Sequence, residues 1–366
     1  MTTHLHRRLL DCVDPLAGKK VFVGFDAFID LVVRPIQSGD ARKVDRYYER
    51  MDDFAAFIAR CSGRNGSVEL DERMEKLGGN APNLASAVNV LGASVTAIAP
   101  FGSPSVHACF AEMSRRCELY SVGNPGISLA LEFADGKVML AMNRQNNHLD
   151  YRTLTTHLTV DRLRAILTSC DFLALVNWSE LPGSTDLLDG LSRDVFPAIS
   201  RPTPLLVDLS DCTRRNPEEL RDYLAKLAAL PSNLQIILSL NQNEASMVFQ
   251  AMDIDPALSD AGKGRALREG LHLDWVVLHH WTHTAIVSEE GFDSCKPRDR
   301  KNPVLQTGAG DNFNAGLCAG RLLGMSAGDC LTLATETSGF YVETGRNPAW
   351  TELVDAISDQ TKEKTI

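Results

Sequence analysis

The sequence predicts an α/β protein: a Rossmann-like, doubly wound, mostly parallel sheet that carries a small inserted β-rich lid. Three observations predict it. Six apolar, β-branched runs have the continuity of strands buried on both faces. Most are preceded by a segment with helical spacing, the alternation a parallel sheet needs for its crossovers. Two stretches, 31–77 and 126–143, break that alternation.

The strand runs are "KKVFVGF" (19–25), "SVTAIAPFG" (94–102), "DFLALVNW" (171–178), "TPLLVDLS" (203–210), "LQIILSLN" (234–241) and "DWVVLHHW" (274–281). Between them, "LGGNAPNLASAVNVLGA" (77–93) predicts a helix with Pro82 in its first turn and a stop at Gly92. In "DRLRAILTSC", Leu163, Ile166 and Leu167 share one helical face. In "NPEELRDYLAKLAAL", Asn216 caps, Pro217 takes the first helical position, and Leu220, Leu224 and Leu227 follow in register. Residues 31–77 are polar and lack a recognisable buried strand, and 126–143 alternates around "ADG" as a hairpin does. The expected division is a core of 19–30, 78–125 and 144–366, with 31–77 and 126–143 forming the lid.

At 366 residues the chain can bury a sizeable core. Its formal net charge of −10 comes with no basic tail or stripe, so neither nucleic acid nor an anionic membrane is an expected partner. The nine cysteines are scattered and include no C-x-x-C pair, which argues against a disulfide framework or a zinc site. The stretch "MTTHLHRRLLDCVD" lacks the apolar centre of a signal peptide, and no apolar run approaches a membrane span. A cytoplasmic location is expected.

Polar residues stand at or near the carboxyl ends of the predicted strands: Asp26, Asn177, Asp208, Asn241 and His279. In open α/β sheets the ligand crevice lies beyond those ends. Gly308 and Gly310 in "QTGAGDNFNAG" permit a turn whose amides converge on a helix N-terminus near Asp311, which makes an anion site. No lysine follows as in a phosphate loop. Asp311 reads equally as a helix cap or as the group that accepts the proton of an attacking hydroxyl. Asn80 and Asn83 each donate and accept, which suits a polyhydroxylated ligand; a capped helix with no ligand is the plainer reading. Asp26 and Asp30 flank the end of the first strand and can accept from sugar hydroxyls. In "NQNE", Glu244 falls in a helix's first turn, where it either caps amides or orients waters on Mg²⁺. His279 and His283 have i, i+4 spacing, but that brings ligands together on a helix and this segment follows a strand. An aromatic wall with Trp281 against a base is preferred to a metal site.

These residues together resemble a PfkB-type carbohydrate kinase of the ribokinase superfamily, over roughly residues 20 to 350. "GGNAPNLASAVNVLGASVTAIAPFG" is similar to that family's first signature, "TGAGDNFNAGLCAG" to its second, and "NQNE" to its N-x-x-E element. The resemblance implies transfer of the ATP γ-phosphate to a hydroxyl of a small sugar, or of a nucleoside, with Mg²⁺. It implies a lid that often serves in a homodimer. Carried over by position, Asp311 is the catalytic base and the amides of Gly308, Ala309 and Gly310 form the anion hole. Asp26, Asp30, Gly79, Asn80 and Asn83 bind the acceptor. Asn241, Glu244, His279, Trp281 and Thr335 line the nucleotide side, with Glu244 reaching the metal through water. Leu305 and Gln306 stand where the family commonly has Asp-Thr, which puts a monovalent-cation site in doubt. Trp281 and Thr284 replace two glycines that usually cover the nucleotide. A catalytically silent, ribokinase-like sugar-binding or regulatory protein is the alternative those replacements raise.

Overall fold

The structure, a computed structural model, describes Leu9 and residues 14–40, 43–144, 146–297 and 303–363. The stretch read above for a leader lies almost wholly outside them. The chain enters the larger sheet with β1 (Lys20–Gly24) and leaves it for β2 (Phe28–Asp40), β3 (Lys43–Tyr47) and β4 (Leu70–Gly78) of a second sheet. It returns for β5 (Ser94–Ala99) and β6 (Glu118–Ser121), and then adds β7 (Gly126–Phe133) and β8 (Gly136–Met142) to the second. The larger sheet is completed by β9 (Phe172–Val176), β10 (Thr203–Asp208), β11 (Leu234–Asn241), β12 (Trp275–His279), β13 (Thr284–Ser288) and β14 (Gly291–Cys295).

All six predicted runs become strands of the larger sheet, whose order is β14-β13-β12-β11-β10-β9-β1-β5-β6. From β12 to β6 the pairing is parallel; β13 and β14 add an antiparallel edge that the sequence reading did not foresee. The continuous apolarity of these strands has a simple cause. On β1, Phe22 joins one core layer while Val21 and Val23 join the other, and all three are buried. One layer is closed by helices Val160–Ser169 and Pro217–Ala228, the other by Asn80–Val90, Ala309–Leu322 and Ala327–Thr344. Each large side chain so buried contributes roughly 1.5–3 kcal/mol. The predicted cap of Pro217–Ala228 is present: Asn216 Oδ1 accepts from Glu219 N–H at 2.9 Å while Glu219 reaches back to Asn216 N–H at 3.1 Å.

The second sheet corrects the view that 31–77 lacks a buried strand. β2 runs through that stretch and pairs with β3, β4 and β7. Its alternation is hard to see because only one face meets an apolar layer. Val33, Tyr48, Leu131 and Phe133 are buried on the outer side, where Phe54 and Phe57 of the helix Met51–Arg60 cover them. The opposite face carries Phe28, Asp30, Ser128, Met139 and Ala141, which register places side by side and turns toward the rim of the larger sheet. The hairpin expected around "ADG" is β7–β8. Among the described residues no helix is long and apolar enough to cross a membrane, and the described cysteines are free thiols.

Candidate active site

A cavity of about 560 Å³ lies between the carboxyl ends of the central strands and the inner face of the second sheet. Its lining includes Asp30, Gly79, Asn80, Asn83, Gly308, Gly310 and Asp311 from the sequence-predicted set. That volume suits a small ligand.

Asp26, expected on the acceptor side, is not among the residues of that lining. It is fully buried, and its two oxygens accept from Asn80 N–H and Ala81 N–H at 2.8 Å each and from Asn177 Nδ2 at 2.7 Å. The carboxylate thus caps the Asn80–Val90 helix from across the fold and ties it to the end of β9. Burial raises its pKa to about 6, and these three donors pull the other way. Asp30, by contrast, faces the cavity from β2. Burial raises its carboxyl as well, against the lowering influence of Lys76 and Lys137.

The paired glycines of "LGGN" are explained by these two acids. A Cβ on Gly78 would stand 2.2 Å from Asp30 Oδ1. One on Gly79, whose φ is +93°, would stand 2.6 Å from Asp26 Oδ2. Any side chain there displaces a carboxylate.

At the cavity floor the helix Ala309–Leu322 begins two residues before Asp311, with Gly308 at φ +94° as its cap. The preceding turn is held by Tyr341 Oη donating to Thr307 C=O at 2.9 Å and by Ala309 N–H donating to Gln306 C=O at 3.1 Å. Ala309's amide is therefore committed to the turn, which narrows the predicted three-amide nest. The amides of Gly308 and Gly310 have no backbone acceptor among the described residues. Asp311 sits in the first helical turn beside them, 6% exposed, with Oδ1 buried and without a hydrogen-bond partner. Burial pushes its carboxyl well above the usual range, the charges of Asp208 and Asp26 push it further, and the Asn80 and Asn83 side chains oppose the rise. A buried oxygen left unpartnered costs stability, so its persistence at a cavity points to a ligand group.

The predicted nucleotide-side residues are not on this lining. Asn241 and Glu244 close a reciprocal capping box. Asn241 Oδ1 accepts from Asn243 N–H at 2.9 Å and Glu244 N–H at 3.0 Å, and Glu244 Oε2 accepts from Asn241 N–H at 2.9 Å. Glu244 is 2% exposed and its carboxyl is raised well above normal by burial and then by Asp208, with Asp211 and Asp311 adding to it. A buried group of acids that repel one another suits a divalent cation held largely through water. The half-buried His279 ring packs 4.9 Å from Phe313, within reach of Gly310. Burial, and next the neighbouring His280, lower its pKa to about 4. Trp281 is 70% exposed at the β12–β13 turn. Thr335 is turned inward: its hydroxyl bonds to Thr284 Oγ1 and Leu331 C=O at 2.8 Å each, which pins the Ala327–Thr344 helix to β13.

Two groups at or beside the cavity, Lys137 and Glu180, escaped the sequence reading. Lys137 on β8 donates to Thr307 Oγ1 at 2.9 Å, so a strand of the second sheet touches the turn before Asp311 across 170 residues of chain. Glu180 on the cavity wall pairs with both Arg214 and Asn143. Asp208 accepts from Asn314 Nδ2 at 2.7 Å and Ser210 N–H at 2.9 Å. Only the "TGAGD" end of the first contact carries a sequence signal; an isolated exposed lysine carries none.

Comparison with known proteins bears on what such a site does. The model of the prokaryotic ketohexokinase family matches residues 3–360. A ketohexokinase of Haloferax volcanii is 28% identical over 349 residues, covering 92% of this chain and 90% of that protein. Among solved structures, a carbohydrate kinase from Agrobacterium tumefaciens superposes with a TM-score of 0.65 at 20% identity, over 93% of this chain and 96% of its own. Arabidopsis thaliana ribokinase, solved with ribose and ATP, gives 0.65 at 16% identity over 93% and 99%.

Proposed function

The chain belongs to the prokaryotic ketohexokinase family and is a carbohydrate kinase, and from that premise we propose that it transfers the γ-phosphate of ATP, with Mg²⁺, to a hydroxyl of a ketohexose. The family description and the Haloferax relative's name support the acceptor class. The observation that carries the mechanism is Asp311: a buried, unpartnered carboxylate oxygen at the cavity floor, one residue from the Gly310 amide.

The acceptor lies against Asp30, Asn80 and Asn83, whose carboxylate and amide groups match adjacent hydroxyls. Asp311 Oδ1 takes the proton of the attacking hydroxyl as its oxygen forms a bond to the γ-phosphorus. The bond from that phosphorus to the β,γ-bridging oxygen breaks, and ADP leaves with the electron pair. The Gly308 and Gly310 amides and the positive helix end offset charge on the migrating group. Magnesium, when bound, neutralises phosphate charge, and Glu244 and Asp208 are the acids suited to hold its waters. The second sheet acts as a lid whose Phe28, Met139 and Ala141 exclude water from the acceptor. A homodimer formed through that sheet is part of the same proposal.

The catalytically silent alternative is not favoured, since Asp311 and the turn before it keep the geometry that turnover needs. The test is ADP formation by purified protein with Mg²⁺-ATP and a panel of ketohexoses, aldohexoses and nucleosides. A ketohexose is expected to give the highest kcat/KM, and Asp311→Asn to lower kcat by about 10²-fold or more. Near-normal turnover by that variant would sink the mechanism. A nucleoside as the best acceptor would sink the substrate class alone.

A further inference from the structure

The segment "HHWTH" lies outside the phosphoryl-transfer scheme, and the structure rearranges the histidines that the sequence reading paired. His279 turns inward against Phe313, whereas His280 and His283 face each other across the β12–β13 turn. His280 N–H donates to His283 C=O at 2.9 Å, which leaves Trp281 and Thr282 as the two residues of the turn. The rings stand 4.7 Å apart, edge to face. Asp260 enters from the first turn of the helix Asp260–Gly270, and its Oδ2 lies 2.6 Å from His283 Nε2.

We propose that Asp260, His280 and His283 form a binding site for a zinc-class transition-metal ion, in which the β12–β13 turn is clamped to the start of the Asp260–Gly270 helix. The ligand atoms of the three side chains lie within 4.8 Å of one another. Bonds of about 2.1 Å to a tetrahedral ion would space them by ~3.4 Å, so a small inward movement of side chains completes the site. Two imidazoles and one carboxylate, with the fourth position left to water, are a donor set for Zn²⁺ or Co²⁺ and not for Mg²⁺, which takes oxygen.

Two features prepare the site. His280 Nε2 is buried with no hydrogen-bond partner. Thr282 Oγ1 stands 3.1 Å from His283 Nδ1, where it can accept that N–H and direct Nε2 toward the ion, as outer partners of metal-bound histidines do. The ion replaces the hydrogen bond between His283 Nε2 and Asp260: the single proton of the neutral ring sits on Nδ1, toward Thr282, and Nε2 and the carboxylate oxygen become ligands. A plain His–Asp hydrogen bond accounts for one contact of this cluster. It accounts neither for the unpartnered nitrogen of His280 nor for the convergence of three donors from two elements.

The turn carries its own reporter. Trp281 is exposed, whereas Trp178, Trp275 and Trp350 are buried, so an ion held between residues 280 and 283 sits beside the one exposed tryptophan. The full chain, stripped with chelator, is titrated with Zn²⁺ by calorimetry and with Co²⁺ by visible absorption and tryptophan emission. One equivalent is expected, with Co²⁺ quenching emission in the wild type and losing that effect in Trp281→Phe while still binding. Affinity is expected to fall roughly tenfold in Thr282→Val and further in His283→Ala or Asp260→Asn. If His283→Ala does not fold, as judged by circular dichroism, Asp260→Asn at the solvent-facing helix start makes the same comparison. Absence of binding by the wild type, or unchanged binding by Asp260→Asn together with His280→Ala, overturns the proposal. So does a thiolate-type Co²⁺ spectrum that only Cys109→Ser removes, which would move the ion to the second cluster of donors, Glu75, His107 and Cys109.

Discussion

Three aspartates near the rim have the same chemistry and three different fates. Asp26 spends its oxygens on two helix amides and Asn177, Asp30 opens to the cavity, and Asp311 keeps one oxygen unpartnered. For Asp311 the folded-state pKa is raised by burial and then by Asp208 and Asp26, and the ionised form is the one that can take a proton. Activity should therefore fall as pH drops through that raised value. The acid limb of the kcat/KM profile is expected well above the ~3.9 of a free aspartate, and a limb at the ordinary value would contradict the assignment. The same shift has a stability sign. A carboxyl whose pKa is raised on folding favours the fold when protonated and disfavours it once pH exceeds the folded value. Asp311→Asn should thus melt higher than wild type at neutral pH without ligands, and the gain should shrink as pH is lowered. The sequence made Asp311 legible because two glycines and a helix start surround it in one short stretch. It could not separate Asp26 from Asp30, since that division depends on Asn177, 151 residues away.

At the scale of elements, the six long apolar strands and the β7–β8 hairpin were readable, whereas β2 and the antiparallel edge of β13 and β14 were not. β2 was hidden because its inner face carries Asp30 and its outer face is covered by a helix that contributes few apolar side chains. β8 has the further property that its alternation sets Lys137, Met139 and Ala141 toward the cavity and Val138, Leu140 and Met142 away from it. Lys137 alone among these brings a charge to the Thr307 turn, and its field also reaches Asp30. A cation so placed serves the migrating phosphoryl group more than the neutral acceptor, so its loss should appear in kcat more than in KM. Lys137→Met is expected to lower kcat about tenfold to a hundredfold with a smaller change in the sugar KM, and Lys137→Arg to recover part of it. Kinetics within twofold of wild type for Lys137→Met would reduce the contact to a lid latch without a role in transfer.

For the whole molecule, the two sheets differ in how completely they are covered. The larger sheet has helices on both faces, whereas the second has the cavity on one side and, among the described residues, the short Met51–Arg60 helix on the other. That helix covers Val33, Leu131 and Phe133 but leaves Val138, Leu140 and Met142 exposed at 38%, 52% and 56%. They stand in one row along β8, at the edge of the sheet. A row of apolar side chains on an open edge strand is a liability for a monomer and invites pairing. A second copy related by a two-fold axis presents the same row to itself and covers both at once. Coverage there also bears on the proposed catalysis, because the reverse face of the same strand brings Met139 to the cavity and Lys137 to Thr307. Light scattering on a sizing column is expected to give about twice the 40.1 kDa chain mass. Leu140→Glu places a charge in the centre of the row and should give monomers with raised sugar KM, since a strand left unsupported outside closes less well inside. A monomeric wild type at micromolar concentration, or a Leu140→Glu variant that stays dimeric, would remove this surface from the account. The cavity and Asp311 would stand unaffected, because every residue of that floor comes from the same chain.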